Sequence, residues 1–207
     1  LTGDTKVEAN ETFTVNLSNI QANGRNITIA DGSATGTINN DDAATVSIND
    51  QTVTEGNTGS ANMTFTVTLS AAVDAAVAIT VNTANGTATT ADNDYTALTN
   101  QTITFTPGGP LTQTVTVAIT GDTRVEANET FNVNLSNIQA SSRNVTISDG
   151  TGLGTITNND SATISVADVQ VLEGNNGTTN LVYTLTMSNP VDTAVTVQAS
   201  TTDGTAT

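Results

Sequence analysis

The chain of 207 residues contains no cysteine, no histidine and no tryptophan, and only four Lys or Arg residues. Without cysteine there is no disulfide staple and no thiolate nucleophile. With histidine also missing, Cys/His zinc sites and imidazole acid/base chemistry drop out as well. Twenty Asp and Glu residues against the four bases give a formal net charge of −16 and a pI near 4.1. That excludes a nucleic-acid surface and disfavours an anionic membrane, because both need clustered Lys or Arg. The sequence shows no signal peptide, no lipidation motif and no apolar run long enough to cross a bilayer, so no membrane insertion is expected of this segment. Apolar residues make up 36%, low for a large core. Such a fraction still suits thin β-sandwiches, which bury one face of each strand. Disorder is the rival expectation for so acidic and polar a chain, and periodicity decides between them.

The sequence repeats itself. The opening LTGDTKVEANETFTVNLSNIQANGRNITIADG returns as ITGDTRVEANETFNVNLSNIQASSRNVTISDG from Ile119. The register then holds to the last residue, at a spacing of about 118 with more than half of the aligned positions identical. That spacing is too long for a solenoid repeat and fits one small domain. The expected division is 1–42, the C-terminal part of one copy; 43–160, a complete copy; and 161–207, the N-terminal part of the next. Residues 1 and 207 fall inside copies, so the sequence reads as a window on a longer tandem array.

Within the complete copy the apolar residues alternate. Met63, Phe65, Val67 and Leu69 are separated by Thr64, Thr66 and Thr68. Phe131, Val133 and Leu135 are separated by Asn132 and Asn134. This is the period of strands with one buried and one wet face, built from residues that suit them, and it favours order over disorder. Seven strands are expected, over 44–49, 61–70, 76–83, 101–106, 112–120, 129–137 and 151–158, with Gly, Asn and Asp clusters as turns. Phe65, Phe105 and Phe131 fall on the buried phase. Pro107 and Pro110 flank Gly108-Gly109 in a hairpin turn. The fold class expected is all-β: seven-stranded antiparallel sandwiches of immunoglobulin-like size, without the immunoglobulin Cys…Trp…Cys core. An odd number of alternating strands brings the chain in at one end and out at the other. Copies joined by a link as short as Asn159-Asp160-Ser161 then stack end to end as a rod.

Strand parity also sorts the loops. The first, third and fifth connections lie at the outgoing end and carry Glu55, then Asp92 and Asp94, then Asp122, Glu126 and Glu129. Asp50 is expected there at the end of the first strand, and Asp160 in the linker. About eight of roughly ten carboxylates in the copy gather at this end, with Asp74 and Asp149 at the other and Arg124 as the nearby cation. Crowded like charges repel. A hard cation removes that penalty, and calcium accepts six to eight oxygen ligands from irregular loops where magnesium demands a stricter octahedron. The bland alternative is that acids occupy loops because loops are wet.

VTEG (53–56), ANGTATTADNDY (84–95), ITFTPGG (103–109), ITGDTRVEANETFNVNLSN (119–137) and GTITNND (154–160) together resemble, in order and spacing, the Calx-beta module. That family occurs in sodium/calcium exchangers, in an integrin subunit and in tandem arrays of bacterial surface and secreted proteins. The resemblance covers the whole chain. It implies a seven-stranded sandwich and, as in the exchanger members, calcium held by loop acids. By position those ligands correspond to Glu55, the acid of the DGTA motif, Asp94, and the run from Asp122 to Glu129. Asn85 replaces the DGTA aspartate in the complete copy, whereas Asp203 keeps it in the next, and Thr123, Val125 and Asn128 thin the acidic run. Weak binding suited to millimolar extracellular calcium, or loss of the site in some copies, is therefore expected.

About ten Asn-x-Ser/Thr sequons, including Asn10, Asn26, Asn62, Asn128 and Asn144, are expected by chance in a chain so rich in Asn and Thr. The outward Thr rows raise an ice- or crystal-facing lattice, against the plainer reading of good strand residues. Asp/Glu pairs could cleave glycosides, but a pair repeated in every module without aromatic platforms argues against an enzyme. The expected function is non-enzymatic: a stalk, fibre or adhesin shaft at the cell surface or outside the cell. Its partners are the neighbouring repeats of the same chain, and calcium stiffens the joints. The alternatives are a filament of identical chains that exchange strands, and a regulatory calcium sensor. In the filament, 161–207 would supply the first three strands of a module and 1–42 the last two.

Overall fold

The computed structural model describes residues 2–205 and, among them, contains strands and no α-helix. The domain limits at residues 1 and 207 lie outside the described residues. The strands run β1 (Glu11–Asn16), β2 (Ser33–Ile38), β3 (Ala44–Ile48), β4 (Gln51–Thr54), β5 (Ser60–Leu69), β6 (Val77–Asn85) and β7 (Gln101–Phe105). They continue with β8 (Thr112–Thr120), β9 (Glu129–Gln139), β10 (Val145–Asp149), β11 (Thr151–Thr157), β12 (Ile164–Val166) and β13 (Leu185–Met187). Strands β3 to β11 form a sandwich of a four-stranded sheet, ordered β10-β3-β5-β8, and a five-stranded sheet, ordered β4-β11-β9-β6-β7.

The alternation read from the sequence is the burial pattern of these strands. Met63, Phe65, Val67 and Leu69 are buried on β5, and Phe131, Val133 and Leu135 on β9, facing one another across the sandwich. Phe65 meets Phe131 edge-on at 6.2 Å, and Tyr95 stacks on Phe131 at 4.4 Å. Gly154 lies opposite Phe131 on the neighbouring strand of the same sheet and leaves room for its ring; a Cβ there would lie 2.6 Å from that ring and 3.0 Å from Met63 Sδ of the facing sheet. The outward positions of β5 and β8 carry hydroxyls in register, Thr64 opposite Thr116 and Thr66 opposite Thr114. Such pairs support a wet sheet face without charge.

Two expectations change. The first strand does not stop at residue 49: after a break at Asn49-Asp50 it resumes as β4 in the opposite sheet. Likewise β10 in one sheet becomes β11 in the other after Gly150. Counted as continuous runs, β3/β4 and β10/β11 leave seven runs between Ala44 and Thr157. Because the last run follows the first, both of their pairings, β10 with β3 and β11 with β4, are parallel rather than antiparallel. Asp50 therefore sits on the crossover rather than at the outgoing end, and accepts the Leu153 backbone N–H at 2.7 Å.

The flanking segments hold fewer strands. In 1–42, β1 and β2 pair as the counterparts of β9 and β11, and their apolar face, with Phe13 and Val15, is about half exposed. Among the described residues of 161–205 only the short β12 and β13 pair, and the third expected strand is not among them. Its counterpart β6 gains its bonds from β7 and β9.

Consecutive modules meet through one apolar residue of the acidic loop. Val7 is fully buried within the core of the central module. Its N–H donates to the Ala72 carbonyl at 2.9 Å, and its carbonyl accepts from the Asp74 N–H at 3.0 Å. The next joint repeats this: the Val125 N–H donates to Pro190 O at 2.9 Å, and its carbonyl accepts from the Asp192 N–H at 3.2 Å. Charges alternate around the first joint. Lys6 pairs with Glu8 at 2.8 Å on one side, and Arg143 grips Asp74 through two bonds on the other, Nη2 at 2.9 Å. Asp74 also accepts the Ala9 N–H across the joint, at 3.4 Å. The Arg143 guanidinium holds the Asp74 carboxyl below its ordinary range. Val7→Ala is expected to cost this contact about 1.5 kcal/mol, the burial of two methyl-sized groups. Pulsed EPR between labels at Thr37→Cys and Thr104→Cys, on a chain with no native cysteine, should then show a broadened distance distribution. An unchanged narrow distribution would mean that Val7 does not hold the joint.

Candidate metal centre

At the outgoing end of the central module, three connections converge as the strand parity requires. The loop after β4 brings Glu55, the turn between β6 and β7 brings Asp92 and Asp94, and the loop from β8 to β9 brings Asp122, Glu126 and Glu129. Asp94, Glu126 and Glu129 each offer a carboxylate oxygen within 4.8 Å of the other two, and all three are half-buried. Glu55 is 7% exposed and feels the charges of Asp122, Glu126, Asp160 and Asp94. It reaches this depth because Gly121 lets its loop lie against the end of β8; a Cβ at Gly121 would stand 2.5 Å from the Gly56 carbonyl.

The hydrogen bonds hold the loops in place and leave oxygens over. Asp94 accepts the Thr89 N–H at 2.6 Å, and its own backbone bonds Thr89 and Thr120. Asp122 caps the Arg124 N–H at 2.7 Å, and Arg124 reaches Glu126 at 3.2 Å. Asp160 receives the Asn57 amide at 2.9 Å on Oδ1. Among the described residues, two buried side-chain oxygens have no hydrogen-bond partner, Glu55 Oε1 and Asp160 Oδ2. Asp92 stands at the exposed rim, bonded to the Thr89 hydroxyl at 3.0 Å, outside the close group, although its charge still reaches Glu129.

The electrostatics are those of an uncompensated cluster. Burial, followed by the charges of Asp122, Glu126, Asp160 and Asp94, pushes Glu55 up to about 7. Burial and the adjoining Asp94 carboxylate push Glu129 up to about 7 as well. Glu126 is raised by burial, against the pull of Arg124. Carboxylates in this state either hold protons or receive a cation. The donors are all oxygens on irregular loops, some of them buried and without a partner, which fits a hard divalent ion.

Sequence reasoning missed several participants. Asn57, Asn158 and Asn159 lace the loops to the linker: Asn159 Oδ1 accepts from the Gly56 N–H at 3.1 Å, and the Asn158 amide donates to Arg124 O at 3.1 Å. Asp192 of the following module adds its charge to Glu126. Asn85, at the DGTA position, turns its Oδ1 to the Tyr95 hydroxyl at 2.6 Å. The signal that could have marked the joint was Val125 itself, an apolar residue between Arg124 and Glu126 in a loop otherwise polar. The segment before the central module repeats several of these acids. There Asp4, Glu8, Glu11, Asp41 and Asp42 line an open cavity of about 330 Å³.

The profile of the Calx-beta domain matches residues 1–42, 39–168 and 156–207. Among solved structures, the apo form of the Calx CBD1 domain is similar with a TM-score of 0.49 at 19% identity, over 57% of this chain and all of that one. CBD12 from CALX1.2 gives 0.47 at 20% identity, over 56% of this chain and 44% of that one. The calcium binding domain CBD12 of CALX1.1 gives 0.47 at 20% identity, over 62% of this chain and 53% of that one. No curated protein sequence matches the chain.

Proposed function

The chain belongs to the Calx-beta domain family, and from that premise we propose that it is a non-enzymatic stalk segment whose modules bind calcium at their joints. Glu55, Asp94, Asp122, Glu126, Glu129 and Asp160 supply the ligands, with Asp92 at the rim. The observation that carries this reading is the pair of buried, partnerless oxygens, Glu55 Oε1 and Asp160 Oδ2, beside the close triad of Asp94, Glu126 and Glu129. A cation neutralises charges that the fold leaves unbalanced at this end of the module. Calcium suits it better than magnesium because the donors come from separate loops with no fixed octahedral frame.

The stalk reading rests on the recurrence of the joint. The loop that presents Glu126 and Glu129 also carries Val125, whose backbone is bonded into the next module. Relieving repulsion among those acids therefore steadies the joint. An extracellular or cell-surface setting supplies the millimolar calcium that a thin ligand set needs.

Thermal unfolding of the chain with calcium and with chelator tests this. Calcium at about 100 times Kd should stabilise by roughly 2.7 kcal/mol, and the gain should disappear in Glu129→Ala and Asp94→Ala. An unchanged midpoint at millimolar calcium would remove the metal role and leave the acids as solubilising charge. Saturation at micromolar calcium would favour a sensor over a stalk.

A further inference from the structure

In the complete module the segment that enters and the segment that leaves are bonded to each other in parallel along nearly their whole length. Ala44 to Ser47 run beside Val145 to Asp149, with the Ala44 N–H donating to Asn144 O at 3.0 Å. At the crossover the Asp50 carboxylate accepts the Leu153 N–H at 2.7 Å. Gln51 to Thr54 then run beside Gly154 to Thr157. The pairing goes on beyond the strands: the Glu55 N–H donates to Thr157 O at 3.3 Å, the Thr54 and Thr157 hydroxyls meet at 2.9 Å, and Asn57 bonds both Asn159 and Asp160 at 2.9 Å.

Tension along a tandem array pulls Ala43 toward the preceding module and Ser161 toward the following one. Two parallel segments drawn in opposite directions slide along their common axis, so every bond between them is strained together. An antiparallel hairpin pulled at its open end parts one bond at a time. We infer that the β3/β4 and β10/β11 pairing is a shear clamp, and that resisting tensile force along the array is a function of this module. The direction of the load rests on the stalk reading above; the clamp itself requires no metal.

Single-molecule stretching of the full chain in chelator, with handles on introduced cysteines, tests it. Handles at Ala43→Cys and Ser161→Cys load the clamp in shear, while handles at Ala43→Cys and Asn144→Cys peel β3 from β10. Forced unfolding is governed by the unfolding rate. At equal load the shear geometry should survive at least about a hundredfold longer, because several bonds must fail at once. Equal lifetimes would overturn the clamp. Both arms use the same fold, so a variant that merely fails to fold is recognised by the absence of an unfolding step in either. A clamp that fails while calcium still raises the melting temperature removes this inference and leaves the proposed calcium site standing.

Discussion

Glu55→Gln is expected to make the metal-free chain more stable at pH 7 and to abolish most of its response to calcium. Glu55 is buried with one oxygen unpartnered, and its folded-state value is raised from 4.5 to about 7. Between those two values the folded protein binds more protons at this group than the unfolded chain does. Stability in chelator therefore falls as pH rises from about 4.5 to 7, by roughly 1–3 kcal/mol from this residue. The usual carboxylate in an ion pair, such as Asp74, has the opposite slope. Glutamine removes the charge and with it this pH dependence. Calcium bound to wild type reverses the sign, because the ion-bound state needs the carboxylate ionised. Urea unfolding at pH 5 and pH 7, with and without calcium, checks all of this. A wild-type chain in chelator that is no less stable at pH 7 than at pH 5 would show that burial and its acidic neighbours do not raise Glu55.

Phe131→Ala should carry the largest stability cost, about 3–5 kcal/mol, a large share of the 5–15 kcal/mol that holds a typical domain together. Its ring is fully buried, stacked on Tyr95 and edge-on to Phe65. The cost extends to the acidic end. Tyr95 is the neighbour of Asp94, and Phe131 stands two residues from Glu129 on β9, so the same cavity loosens both ligands. Urea unfolding of Phe131→Ala checks this: a loss of about 1 kcal/mol or less, as at an exposed site, would mean that the buried stack does not hold the module together.

Period-two alternation makes β5, β8 and β9 legible from sequence because a sheet with one wet face imposes that pattern directly. Counting strands then suffices to gather Glu55, Asp94, Glu126 and Glu129 at one end, since parity needs only the turns. What alternation cannot carry is a change of sheet. At Asn49-Asp50 and at Gly150 a run passes from one layer to the other, and the choice of partner depends on the far end of the module, about a hundred residues away. The parallel pairing of β4 with β11 was hidden for that reason, and Asp50 was misplaced with it. Asn85 is a subtler case. Its position in the DGTA pattern points to the acids, but its side chain serves the Tyr95 hydroxyl, a pairing visible only once both loops are folded.

Calorimetry of calcium binding at pH 7, in buffers of different ionisation enthalpy, reads directly whether a calcium ion relieves the burial and mutual repulsion of these acids. With Glu55 and Glu129 each raised to about 7, each is about half protonated in the metal-free state. Binding should then release about one proton per central module, and Glu55→Gln should release fewer. Heat with no dependence on the buffer, or no heat at all at millimolar calcium, would contradict it.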